Sequence, residues 1–60
     1  MYIPMVGELC GVELEMYGEP VNFVGTIIER TGDIFTMLLE AGAEIKFNVS
    51  HVTEFTEIDN

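Results

Sequence analysis

Glycines stand at positions 7, 11, 18, 25, 32 and 42, and they leave a helix little room to grow. Gly32 and Gly42 bracket a run of only nine residues, fewer than the ~12 at which a helix becomes marginally self-supporting. The segments between glycines are rich in Val, Ile, Phe and Thr, residues that suit a pleated, half-buried surface. Short strands joined by turns are the reading that satisfies both observations. The residues flanking Gly11, Gly18, Gly25 and Gly32 do not repeat, so the even spacing marks turn placement rather than an internal repeat.

The clearest strand is Val12-Glu13-Leu14-Glu15-Met16, whose apolar and acidic side chains point to opposite faces when the backbone is extended. Tyr17-Gly18-Glu19-Pro20 reads as the following turn. A second strand over residues 21–30 carries Val21, Phe23 and Ile27, and the glycine inside it, Gly25, predicts a sharp bend or a close approach of chain to chain. Thr31-Gly32-Asp33 turns the chain into a third strand over residues 34–39, apolar at nearly every position, the pattern of a strand covered on both faces. Residues 34–41 also contain good helix formers, but the bracketing glycines favour the strand. Residues 44–49 alternate again, with Ile45, Phe47 and Val49 on one side. A break at Ser50-His51-Val52, with Ser50 as the capping residue, precedes a last strand over residues 53–58. One domain spanning 1–60 is expected, with residues 1–6 and 59–60 peripheral.

Size and charge narrow the function. At 60 residues the chain has no room for a cofactor domain beside a scaffold. At 48% hydrophobic it is too apolar for a disordered acidic tail. Its 11 acidic side chains face only Arg30 and Lys46, for a net charge of −9, and a chain so poor in cations does not bind nucleic acid directly. Cys10 has no partner for an intramolecular disulfide, so a reducing, cytoplasmic setting is expected. The start has no basic stretch ahead of an apolar run, and no apolar stretch approaches the ~20 residues of a membrane span, so no membrane partner is expected.

Reaction chemistry finds little to build on. His51 is the only histidine, and no metal-ligand spacing connects it with Cys10 or the carboxylates. Cys10 has no basic neighbour in sequence to activate it and reads as a small core filler. Asp33 beside Gly32 is turn chemistry, with no calcium loop around it. Glu13 with Glu15, and Glu54 with Glu57, read more simply as solvating carboxylates than as acid/base pairs. No cofactor, metal or catalytic residue is expected.

The segment Phe23-Val24-Gly25-Thr26-Ile27 is similar to the hydrophobic-x-Gly-x-Leu step of the first Sm motif. Together with Val12-Glu13-Leu14-Glu15, Phe35-Thr36-Met37-Leu38-Leu39 and the ending Phe47-Asn48-Val49-Ser50-His51-Val52, it gives residues 7–58 a resemblance to SH3-like small barrels and, within them, to Sm-like proteins. That resemblance implies an all-β, five-stranded small barrel with strongly bent antiparallel strands and a single short turn before the last strand. Sm-like proteins bind RNA through an Asp-x-x-Met-Asn loop and an Arg-Gly or Lys-Gly step. Here Thr36 stands where the Asn would fall, neither dipeptide occurs, and Pro4 and Gly7 interrupt the first ten residues where a leading helix would lie. The RNA pocket is therefore not implied for this chain, whereas a homomeric ring remains open.

Two surfaces are candidates for contact. Glu13, Glu15 and Glu19 form a candidate acidic face. It either keeps the protein soluble and its edges apart or meets a basic groove on a protein partner, because strand residues two apart lie roughly 6.6 Å apart, on the order of successive phosphates. In composition the chain resembles phage-encoded inhibitors of nucleic-acid-binding enzymes. Phe35, Met37, Leu38, Leu39 and Phe55, with Tyr17, hold more apolar surface than one small barrel should hide, which marks a candidate interface for homo-oligomerisation. The expected function is a non-catalytic, acidic protein-interaction module acting as a homo-oligomer. The alternatives are a nucleic-acid mimic that occupies a basic groove and a structural subunit of an Sm-like ring.

Overall fold

Alternation and turns organise the chain as five antiparallel strands in one sheet: β1 (Leu9–Met16), β2 (Glu19–Thr31), β3 (Ile34–Leu39), β4 (Glu44–Asn48) and β5 (Val52–Glu57). This computed structural model describes residues 1–58; Asp59 and Asn60, expected at the periphery, lie outside the described residues. The strand order is β4-β3-β2-β1-β5, and among the described residues no hydrogen-bonded ladder joins β4 to β5, so the sheet is not closed. Among the described residues the only helical element is a single 3-10 turn (Val49–His51) between β4 and β5. No helix among the described residues is long and apolar enough to cross a membrane. The radius of gyration is 10.6 Å, close to the roughly 10 Å of a folded chain of this length.

The sheet curls around Cys10, Val12, Leu14, Ile27, Phe35, Met37, Phe47 and Phe55. Phe35 on β3 stacks on Phe47 of the neighbouring strand with ring centroids 5.7 Å apart. Phe55 reaches the same pair from the opposite end of the strand order, 5.4 Å from Phe35 and 6.2 Å from Phe47. The two edge strands are thus held across the core by aromatic packing, a contact worth on the order of 0.5–1.5 kcal/mol per pair beyond area burial.

At Gly25, β3 approaches β2 too closely for any side chain. A Cβ built there would lie 2.7 Å from Met37 Cγ and would run into the Leu38 carbonyl oxygen, which is backbone and cannot swing away. The bend expected from an interior glycine is therefore a close approach of β3 to β2.

Two bulges set which side chains face in. On β2, Ile27 lies opposite Met37 and Glu29 opposite Thr36, leaving Ile28 as the extra residue. After that shift Arg30 shares a face with Phe35, and its guanidinium carbon lies 4.7 Å from the Phe35 ring centroid. On β5, Glu54 lies opposite Glu13 and Val52 opposite Leu14, leaving Thr53 as the extra residue. An odd spacing such as Val52 to Phe55 would otherwise send the two to opposite faces; the bulge lets both pack on the core.

Several expectations need correction. β3 alternates rather than being covered on both faces: Phe35 and Met37 are in the core, while Ile34 and Leu38 are 39% and 37% exposed. Thr36 is only 3% exposed, between Glu29 and Lys46, its neighbours across the two ladders. The turn after β1 is tighter than expected, since Met16 pairs with Glu19 around Tyr17 (φ 54°) and Gly18 (φ 80°). Both positions have the positive φ of the hairpin turn whose twist matches its strands, and Pro20 lies inside β2 where β3 does not reach. A tyrosine in that region costs roughly 1–2 kcal/mol of local strain. The cap of the 3-10 turn is Asn48, whose side-chain oxygen accepts from the Ser50 N–H at 2.9 Å, not Ser50 itself.

Residues 1–6 are less peripheral than expected. Pro4 is buried and Tyr2 packs on the core cluster. The Tyr2 hydroxyl donates to Glu8 Oε2 at 3.0 Å, and the Met5 N–H donates to Glu8 Oε1 at 2.8 Å. Burial first, then the hydrogen bond and charge of Glu8, push the Tyr2 phenol from 10.0 up to about 12. The folded state favours the neutral phenol, so this contribution is full below pH 10 and is lost as the pH rises toward 12.

Two measurements check these contacts. Gly25→Ala should lower stability by about 3 kcal/mol, read from the urea midpoint, because the strands must separate to admit the methyl group; a change within about 0.5 kcal/mol, the range of ordinary surface substitutions, would contradict the close approach. In a Tyr17→Phe background, where Tyr2 is the only phenol, an ultraviolet titration should place its midpoint near 12, and Glu8→Gln should move it down.

Candidate functional site

Direct cross-strand neighbours share a face of a sheet, so the ladder between β1 and β2 sorts the predicted acidic residues. Glu13 lies opposite Asn22 and Glu15 opposite Pro20, both on the outer face, whereas Glu19 lies opposite Met16 on the other face. The expected row of Glu13, Glu15 and Glu19 is therefore not one surface. Its third member is Glu54 of β5, directly opposite Glu13. Glu13 and Glu15 line a shallow outer hollow of about 370 Å³ with Gly18, Pro20 and Thr53, and Glu54 stands across the ladder from Glu13.

No cation relieves that row through the ladders. Lys46 stands opposite Thr36 on β4, and Arg30 lies over Phe35. Like charges placed directly opposite destabilise a sheet, yet the fold holds Glu13 against Glu54. Among the described residues no three His, Cys, Asp or Glu side chains converge as a metal site requires. Cys10 is fully buried, and burial first, then the charge of Glu8, raises its thiol pKa, which works against a thiolate.

The predicted apolar interface divides. Phe35, Met37 and Phe55 are consumed by the chain's own core, so they are not available to a partner. Leu38 stays on the outer face and Leu39 packs at the rim of the core. Beside them Leu9, Val24 and Thr26 complete an outer depression of about 460 Å³.

A third concavity opens between the end of β1, the start of β3, β4 and the 3-10 turn. Leu14, Met16, Ile34 and Phe47 line an apolar groove of about 290 Å³, with Glu15, Lys46, Asn48 and His51 around it. β1 ends, β3 begins and the 3-10 turn crosses at this end of the molecule, and the Val49 N–H donates to the Asp33 carbonyl at 2.8 Å to hold the turn there. Tyr17, fully exposed on the hairpin tip, borders the adjoining hollow with Gly18, Ser50, His51 and Thr53. Sequence reasoning treated Tyr17 as turn and surplus apolar surface and His51 as a loop residue. Their approach depends on the hairpin and the 3-10 turn meeting in space, which no local pattern encodes.

No protein-family model matches the chain, and no curated protein matches it significantly. The functional reading therefore stands on the chain's own charge and geometry.

The like-charge pair yields a direct stability test. Glu54→Lys places opposite charges across the β1–β5 ladder and should stabilise the fold by roughly 0.5–1 kcal/mol, read from urea denaturation at low salt. Added salt should shrink the gap between variant and parent. A variant no more stable than the parent would show that the pair does not repel.

Proposed function

We propose that this chain is a non-catalytic, acidic protein-interaction module on an SH3-like small barrel, acting in the cytoplasm as a homo-oligomer and engaging a basic protein partner. The strand order β4-β3-β2-β1-β5, the tight approach at Gly25 and the lone 3-10 turn before β5 support the barrel reading. The observation that carries the function is the outer carboxylate row, with Glu13 held opposite Glu54 and Glu15 beside it. Such a row concentrates negative potential, and a basic surface would relieve its repulsion, steer association and make binding fall with salt. The nucleic-acid-mimic form of this reading, an inhibitor occupying a basic groove, uses the same row; the row runs across two strands rather than through Glu19.

A ring subunit is the second reading. Both β4 and β5 have one ladder partner each, leaving two strand edges open to neighbouring copies. In that case the assembly forms through backbone edges rather than through Phe35, Met37 and Phe55, which the core already uses.

Affinity capture from the native host, with bound proteins identified by mass spectrometry, separates recognition from mere solubility. The parent should retain basic proteins that are lost with Glu13→Lys/Glu15→Lys and released steeply by salt. Retention of the same proteins by both chains at all salt concentrations would reject the acidic face as the contact.

A further inference from the structure

Strand pairing lays out the outer face of the sheet in rows. Leu9 of β1, Thr26 of β2, Leu38 of β3 and Glu44 of β4 stand opposite one another in turn. The next row holds Thr56, Gly11 and Val24, and the one after it Glu54, Glu13 and Asn22. An apolar strip and an acidic one therefore lie on the same face, with Gly11 adding no side chain between them. The apolar strip is sunk into the depression of about 460 Å³ that Leu9, Val24, Thr26 and Leu38 line. Val24 is 56% exposed there, and burying it would remove apolar surface from water.

Charge names the occupant. The only charged side chain lining the depression is Glu40, Glu44 stands opposite Leu38 at one end, and Glu13 with Glu54 lies beyond Gly11 at the other. No cation lines it: Lys46 shares its row with Thr36 and Glu29, Arg30 lies over Phe35, and His51 belongs to the 3-10 turn. Nucleic acid and anionic lipid surfaces are repelled by a chain of net charge −9, and a second copy would bring that same charge to the contact. A purely cationic partner would leave the apolar floor in water. We propose that the depression seats a large apolar side chain of a basic protein segment, whose cations reach the carboxylates on either side. Leu9 and Glu13 are four residues apart on one strand, about 13 Å, so the segment carries its cations about four residues from the apolar anchor.

Because this seat presupposes a basic partner, the probes must separate the two. The capped synthetic peptide Lys-Lys-Ser-Ser-Leu-Leu-Ser-Ser-Lys-Lys, titrated into the full chain at about 0.15 M salt to screen long-range attraction, should bind saturably. The largest amide shifts should fall at Leu9, Val24, Thr26 and Leu38. The same peptide with serine in place of both leucines should bind about tenfold more weakly or worse, the loss expected when one leucine side chain stays in water. Val24→Thr/Leu38→Thr changes no charge and keeps residues that suit a strand, so the chain should retain its amide spectrum away from those positions and lose the preference for the leucine peptide. Equal binding of both peptides by the parent, or a preference that survives the double variant, would overturn the seat and leave the acidic row standing as the basic contact. Saturable binding of neither peptide would overturn both.

Discussion

Three phenylalanine rings hold together the two ends of a sheet that, among the described residues, no hydrogen-bonded ladder joins. Phe47 on β4 and Phe55 on β5 belong to opposite edges, yet their ring centroids are 6.2 Å apart, with Phe35 packed against both. A chain this short has little apolar surface to spare, and a flat sheet would leave its one apolar face wet. Curling lets that face cover itself. The curl is possible because Gly25 admits β3 to a distance no Cβ allows. The bulges at Ile28 and Thr53 then keep the apolar parity inward after each irregularity.

The same closure explains where the surface features lie. Aromatic packing brings the edges together without a ladder between them, and beside Phe47 an apolar groove opens between the end of β1, the start of β3 and the 3-10 turn. Outward positions of β1 and β5 hold Glu13, Glu15 and Glu54, and pairing those strands sets Glu13 against Glu54. Charge that composition reports only as −9 thus acquires an address. The molecule offers an acidic outer face and, at the hairpin end, an apolar recess bordered by Glu15, Lys46, Asn48 and His51.

Much of this was legible from local pattern. Alternation in Val12–Met16 and in residues 44–49, together with the glycine turns, placed all five strands, and Gly25 announced the tight approach before any contact was known. Faces were harder to read, because a one-residue shift in register exchanges the two sides of a strand. The two-residue turn put Glu19 opposite Met16, and so off the acidic face where spacing along the chain had placed it. The bulge at Thr53 brought Glu54 opposite Glu13 and turned Phe55 into the core. Neither bulge has a glycine or proline to mark it. Phe35, Met37 and Phe55 looked surplus only because a curled sheet, which receives side chains from both edges, buries more than a flat one.

The central claim is that the monomer completes its own core, so that Phe35, Met37 and Phe55 are closed to any partner. Amide chemical shifts followed through a dilution series test this most directly. Concentration-dependent shifts should be confined to amides outside the core, with those of Ile27, Phe35 and Phe55 unmoved. Shifts reaching the core amides would contradict it.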